Sequence, residues 1–266
     1  MTANRDCWVW QSKADAEPDI IEKENIFREG LKEFPDSLEL TYNFANFMMY
    51  VRKDIDEAER LYRKALEIDP EDTDSIGNLA LLMAKAGKNQ DEAEKLYRRA
   101  LELDPEDANN TGNFATFMYK VRKDNEAAER LYRKALELDP EHAIHIANFA
   151  NFMADNHRDD DQAQWLYRRA YELDPKDSAN LGNFANFMWE NRKNNDEAER
   201  LYREALQLDP NNAWHYANFA EFMEMVRGDY MEANRLHRQA LELDPDLEWA
   251  KTDFARFLKE HPEFDK

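Results

Sequence analysis

A chain of 266 residues with a formal charge of −21 presents a repulsive average field to a phosphate backbone, which excludes nucleic acid as the expected partner. Hydrophobic residues at 42% and charged residues at 35%, with 6 Gly and 9 Pro, describe a folded, helix-rich chain and not a disordered one. The single cysteine, Cys7, excludes an intrachain disulfide and a thiolate metal site, and no stretch approaches the roughly 20 apolar residues of a membrane helix. A protein of the cytoplasm without membrane attachment, metal or cofactor is expected.

Residues 1–18 follow no pattern and contain no apolar run of signal-peptide length. They read as an N-terminal arm whose Trp8 and Trp10 dock on the structure that follows, the alternative being a mobile arm that reaches a partner. Residues 19–35, DIIEKENIFREGLKEFP, read as one capping helix.

From 36 to 245 the chain repeats itself. Asp-Pro recurs at 69/70, 104/105, 139/140, 174/175, 209/210 and 244/245, and before each Pro stands a variant of AERLYRKALELDP. Six full repeats of 35 residues follow from that spacing. In the phrase, Ala58, Leu61, Tyr62, Ala65 and Leu66 have the i, i+3, i+4, i+7, i+8 spacing of one helical face. This is the second helix of each repeat, B. Asp56 with Glu59, Asp91 with Glu94 and Asp196 with Glu199 resemble capping boxes at its start, and the closing Pro stops it. The first helix, A, carries TYNFANFMMY, GNFATFMYK, ANFANFMAD, GNFANFMWE and ANFAEFMEM in repeats one and three to six. Ala45, Ala80, Ala115, Ala150, Ala185 and Ala220, with Ala58 and Ala65 in B, place small side chains where two helices cross closely, as a stacked helical hairpin requires. Met48, Met83, Met118, Met153, Met188 and Met223 have core spacing. Residues 246–266 hold a last A-type helix, WAKTDFARFLKEH, with enough charge to face water as a C-terminal cap.

Ala58, Tyr62, Ala65 and Pro70, a set that recurs in every repeat with His237 in place of the Tyr in the sixth, resemble the pattern of the tetratricopeptide repeat family. The resemblance runs from about residue 20 to 260 and implies an all-α, right-handed α-α superhelical solenoid of stacked helical hairpins. The period exceeds the family's usual value of about 34 by one residue in each A–B turn. In the N-terminal cap Phe27 and Gly30 take the places of the B-helix aromatic and second Ala.

In such solenoids the A helices line a concave groove that commonly binds extended peptides, so the groove positions carry the functional expectation. Asn43, Asn78, Asn113, Asn148, Asn183 and Asn218 recur once per A helix. Each carboxamide offers a donor and an acceptor, and a column of them can pair with the backbone of an extended peptide. This is similar to the asparagine ladders of the O-linked N-acetylglucosamine transferase superhelix and of importin-type solenoids. The other reading is that each Asn bonds a neighbouring helix. Gly77, Gly112 and Gly182 precede the ladder, which suits close approach of a ligand backbone or close helix packing. A broken second row, Asn46, Asn151 and Asn186, lies three residues on.

Tyr42, Tyr50, Tyr119, Trp189 and Trp214 are candidate anchors of the kind enriched in binding hot spots. Lys85 and Lys120 share one helix position with Asp155 and Glu190, and Glu221 and Glu224 extend the acidic end. A ligand acidic toward repeats two and three and basic or aromatic toward repeats four to six would match. The carboxylate clamp of chaperone-binding relatives needs Lys or Arg where this chain has Tyr42, Gly77, Gly112, Ala147, Gly182 and Ala217, so that specialisation is not expected.

No phosphate loop, nucleophile elbow or paired metal-ligand motif occurs, and His142 with His145 lack a third ligand. A non-enzymatic module that binds a protein or extended peptide is the reading. Two alternatives stand beside it. One is a structural scaffold that forms a homo-oligomer through its end caps, with Trp249 and the Trp8/Trp10 arm as contacts. The other is RNA binding of the pentatricopeptide type, against which the acidic charge argues.

Overall fold

The computed structural model of the protein describes residues 3–156 and 159–265. Those residues form fifteen α-helices and no strand, and the helices pack as adjacent pairs. They fall into two compact units, Met1–Asp139 and Pro140–Lys266.

The first unit holds α1 (Ala3–Ala16), α2 (Ile20–Glu33), α3 (Leu38–Phe47), α4 (Ile55–Ile68), α5 (Thr73–Lys85), α6 (Gln90–Leu103), α7 (Ala108–Phe117) and α8 (Asn125–Leu138). The segment expected as an arm is largely α1, which packs on α2 and α3. Trp10 lies on Gly30 with its Cβ and Cγ 3.0 Å from where a side chain there would begin, and its Nε1 donates to Glu33 Oε2 at 3.2 Å. Gly30 is therefore the residue that lets α1 close on α2. Trp8 stays 57% exposed.

The second unit holds α9 (Ala143–Asp155), α10 (Asp160–Leu173), α11 (Ser178–Glu190), α12 (Asn195–Leu208), α13 (Ala213–Phe222), α14 (Tyr230–Leu243) and α15 (Glu248–Glu260). In the hairpins of residues 36–245, odd-numbered helices are A and even-numbered ones B. The A helices also touch one another, α5 on α7 in the first unit and α11 on both α9 and α13 in the second.

A side chain caps the N-terminus of every helix from α2 to α14. In the B helices the caps are Asp54, Asn89, Asp124, Asp159, Asn194 and Asp229. The pairs that resembled capping boxes lie inside the helices and have another task. Asp56 and Glu59 hold Lys88 at 2.6 and 3.2 Å, Asp91 and Glu94 hold Arg122 at 2.6 Å each, and Asp196 and Glu199 hold Arg227 at 2.7 and 2.6 Å. In each case the cation comes from the end of the next helix A, so the pair clamps one hairpin to its successor.

In repeats one, three and six, helix A closes in a π turn, Met48–Arg52, Met118–Arg122 and Met223–Arg227. The N–H groups of Asp54, Asp124 and Asp229 reach back to the carbonyls of Met48, Met118 and Met223 at 3.0, 3.0 and 3.1 Å. This wide loop absorbs the residue that lengthens the period, and it places Lys53, Lys123 and Gly228 at φ of 58°, 58° and 64°.

The core is a repeated aromatic step. Tyr97 stacks on Phe114 at 5.3 Å and meets Phe117 at 5.6 Å, and Tyr167 and Tyr202 do the same with Phe184/Phe187 and Phe219/Phe222. Phe27 plays that part against Phe44 and Phe47, and His237 against Phe254 and Phe257. Ala45, Ala58, Ala65 and their equivalents are fully buried at the helix crossings, where larger side chains would overpack. The Met column is buried throughout.

Candidate peptide-binding face

The recurring Asn of the A helices differs between the two units in what it bonds. In the first unit Asn43 Nδ2 donates to Gln11 Oε1 at 2.9 Å, and Asn78 Nδ2 donates to Tyr42 Oη at 2.9 Å and Asn46 Oδ1 at 3.2 Å. Asn113 is half-buried, and its carboxamide makes no hydrogen bond among the described residues. In the second unit Asn148 and Asn218 are half-buried, Asn183 is exposed, and none of the three carboxamides is bonded among the described residues.

The second row is occupied internally. Tyr62, Tyr167 and Tyr202 of the B helices donate their hydroxyls to Oδ1 of Asn46, Asn151 and Asn186 at 2.5, 2.7 and 2.5 Å. Burial raises the Tyr62 and Tyr202 phenols far above their ordinary range, which keeps them protonated as donors. Each pair ties helix A to helix B within one hairpin. Where the row is interrupted the tie changes: Thr116 accepts from Tyr132 at 3.1 Å, and Leu81 leaves the buried Tyr97 hydroxyl without a partner.

The aromatic candidates divide by environment. Tyr42 is half-buried, and Tyr50 is 44% exposed with Lys85 Nζ 5.7 Å above its ring. Lys120 Nζ lies 5.6 Å from the Tyr119 ring. Trp189 is half-buried and meets Phe222 edge-on at 5.7 Å. Trp214 is 55% exposed and tilts against Trp249 at 5.0 Å. Trp249, expected as an exposed end contact, is half-buried because Trp214 and the apolar residues around it take up its ring.

Lys85 and Lys120 are exposed in the first unit, as are Asp155 and Glu190 in the second. Partial burial raises the Glu190 carboxyl, and Asp155 adds to the rise against the opposing effect of Lys193. Burial raises Glu221 as well, with Asp253, Glu190 and Glu224 adding to the shift and Arg256 opposing it. Glu224, expected beside it on the surface, is 6% exposed and bonds both nitrogens of Arg256 at 2.7 and 3.0 Å. Its charge is neutralised by the neighbouring helix and is not presented to a ligand. Ligand atoms of Glu224, Glu260 and His261 also gather within 4.8 Å, but the Arg256 guanidinium already provides the cation there.

Two glycines before the Asn row are filled from inside the protein. At Gly77 the Asn110 carboxamide occupies the space a Cβ would need, and at Gly182 the His215 ring stands 2.8 Å from it. Asn110 and His215 belong to a set of buried polar residues at one repeat position, Ser75 and Asn110 in the first unit and His145, Asn180 and His215 in the second, that the sequence reading overlooked. Its signal is a polar residue every 35 positions where Leu40 and Ala250 stand in the terminal helices.

Two cavities open on the A helices. In the first unit a cleft of about 840 Å³ is lined by Phe34, Leu38 and Tyr42 together with Glu33, Asp36, Glu39, Asp72 and Asp74. Burial and the neighbouring Asp72, Asp107 and Asp104 raise the Asp74 carboxyl. In the second unit a smaller cavity of about 210 Å³ lies between α11 and α13, lined by Gly182, Asn183, Asn212, Trp214, His215 and Asn218 among others.

The tetratricopeptide repeat family matches this sequence at residues 52–110, 119–142 and 201–233, within the hairpins just described. The chain carries tetratricopeptide repeats in these segments. No curated protein matches it over its sequence. Among solved structures it is similar to PilF of Pseudomonas aeruginosa, at 22% identity and a TM-score of 0.64 over 82% of this chain and 97% of that one. A tetratricopeptide repeat protein of Parabacteroides merdae is 15% identical with a TM-score of 0.69, over 97% and 96% of the two chains. Similarity to the Cut9–Hcn1 hetero-tetramer reaches a TM-score of 0.74 at 18% identity, over 88% of this chain and 45% of that chain. These likenesses establish the fold, a stack of tetratricopeptide-type helical hairpins. No helix among the described residues is long and apolar enough to cross a membrane.

Proposed function

We propose that this tetratricopeptide repeat protein is a non-enzymatic interaction module that holds an extended segment of a partner protein on its A-helix face. The observation that carries this reading is the set of Asn148, Asn183 and Asn218, which recur on three successive A helices with carboxamides left unbonded. Polar groups at that density, open to the surface and unspent on the fold, suit donor and acceptor pairing with a peptide backbone. Each such bond contributes only about 0.5–1.5 kcal/mol net, and ordering the peptide costs about 2–5 kcal/mol. Side chains must then supply the remainder. The mutually repelling Asp155, Glu190 and Glu221 favour a basic stretch in the second unit, whereas Lys85 and Lys120 favour an acidic one in the first.

The test is a screen of extended peptide libraries against the wild type and Asn148→Ala/Asn183→Ala/Asn218→Ala. Binding by the wild type that falls at least tenfold in the folded variant supports the reading. Binding unchanged in the variant moves the interaction to the B-helix faces or the ends.

A further inference from the structure

We propose that the cavity between α11 and α13 is a subsite for one uncharged planar amide, the carboxamide of an Asn or Gln side chain carried by the bound segment. The inference rests on the A-helix face being the binding surface and adds which chemistry that surface selects. At about 210 Å³ the cavity is smaller than the roughly 300–1,000 Å³ that encloses a whole small-molecule ligand, and it suits one side chain. His215 lines it, is 5% exposed, and has Nε2 buried without a hydrogen-bond partner among the described residues. A buried nitrogen left unpaired is costly, and the residue that carries it is one of those lining the cavity. Burial lowers the affinity of His215 for a proton, so the imidazole is neutral near pH 7.

The other walls agree with that assignment. Asn183 and Asn218, both unbonded, offer two donors and two acceptors, which is the complement of a carboxamide. The exposed indole of Trp214 offers a flat face on which a planar group can lie. Asn212 contributes no free group to the same extent, because its Oδ1 accepts from the Trp214 N–H at 3.1 Å and its Nδ2 donates to Asp209 at 3.3 Å. None of the described residues lining the cavity is charged. An ammonium or carboxylate entering it would lose hydration without gaining an ion pair. An aliphatic side chain would leave the carboxamides and the imidazole unpaired, and a site built on hydrogen bonds discriminates strongly against such an analogue.

The experiment titrates the full chain with N-acetyl-glutamine N-methylamide and with the leucine and glutamate counterparts. The indole N–H signal of Trp214 and the backbone amide of His215 are followed by ¹⁵N NMR. The expected result is a saturable shift with the glutamine compound and binding at least tenfold weaker with the other two. His215→Leu and, separately, Asn183→Ala/Asn218→Ala reduce that preference to below threefold, with circular dichroism confirming the fold. The paired substitutions, at the exposed Asn183 and the half-buried Asn218, keep the test decisive if His215→Leu unfolds. No saturable shift with the glutamine compound, equal response to all three compounds, or a preference that survives Asn183→Ala/Asn218→Ala would overturn the proposal. Peptide libraries that fail on the A-helix face while this titration succeeds sink the groove reading alone, and the reverse pattern sinks the subsite alone.

Discussion

One substitution made at two equivalent positions has opposite expected signs. In Tyr202→Phe the hydroxyl that donates to Asn186 Oδ1 at 2.5 Å is lost, and with it the tie between α12 and α11. A net hydrogen bond of this kind contributes about 0.5–1.5 kcal/mol, and the half-buried Asn186 recovers part of that from water. The expected cost is about 1 kcal/mol. In Tyr97→Phe the hydroxyl removed is buried and has no partner, because Leu81 stands where Asn46, Asn151 and Asn186 stand in other repeats. Removing an unsatisfied buried hydroxyl relieves a desolvation cost of about 1–3 kcal/mol, so Tyr97→Phe is expected to be neutral or stabilising. Leu81→Asn supplies the missing acceptor, and in that background Tyr97→Phe should become destabilising, a sign change that a thermodynamic cycle isolates. Urea midpoints at constant m are the assay, supported by amide exchange in α6 and α12, since repeat arrays can unfold in parts. Equal destabilisation by Tyr97→Phe and Tyr202→Phe would refute the reasoning.

Other expectations follow from the same geometry. Gly182→Ala places a methyl 2.8 Å from the His215 ring and should cost about 1–3 kcal/mol, an effect partly relieved in combination with His215→Ala and read from urea unfolding. Lys123 sits at φ 58° where Gly228 stands in repeat six, so Lys123→Gly should stabilise by about 0.5–1 kcal/mol, measured the same way. His237 is 1% exposed and burial pushes its pKa down to about 4, below the roughly 6.5 of an unfolded imidazole. The unfolded chain therefore binds the proton first, and the His237 contribution is complete above pH 6.5 and lost as pH falls toward 4, by up to roughly 3 kcal/mol. His237→Phe should flatten the pH dependence of the unfolding midpoint across that window.

The hairpin architecture was legible because the Ala, aromatic and Pro positions that build it repeat six times with the period of the fold. What escaped was encoded between repeats. Asp91 and Glu94 look like a capping box in their own helix, and only the arrival of Arg122 from the next hairpin reveals a clamp. Gly77 and Gly182 look like room for a ligand, and the side chains that fill it, Asn110 and His215, stand 33 positions further on. The Asn46, Asn151 and Asn186 row resembled a binding surface because a donor sixteen residues away, in the other helix of the hairpin, leaves no local signal. Helix α1 carries no repeat phrase, and its packing depends on Trp10 meeting Gly30.

The most direct test of the account follows the side-chain carboxamides themselves. With the tightest peptide from the library screen bound, the NH₂ signals of Asn148, Asn183 and Asn218 are compared by ¹⁵N NMR with those of Asn151 and Asn186. The account predicts saturable shifts and slowed exchange for the first three and little change for the pair bonded to Tyr167 and Tyr202. Shifts confined to the pair, or to the B helices, would contradict it.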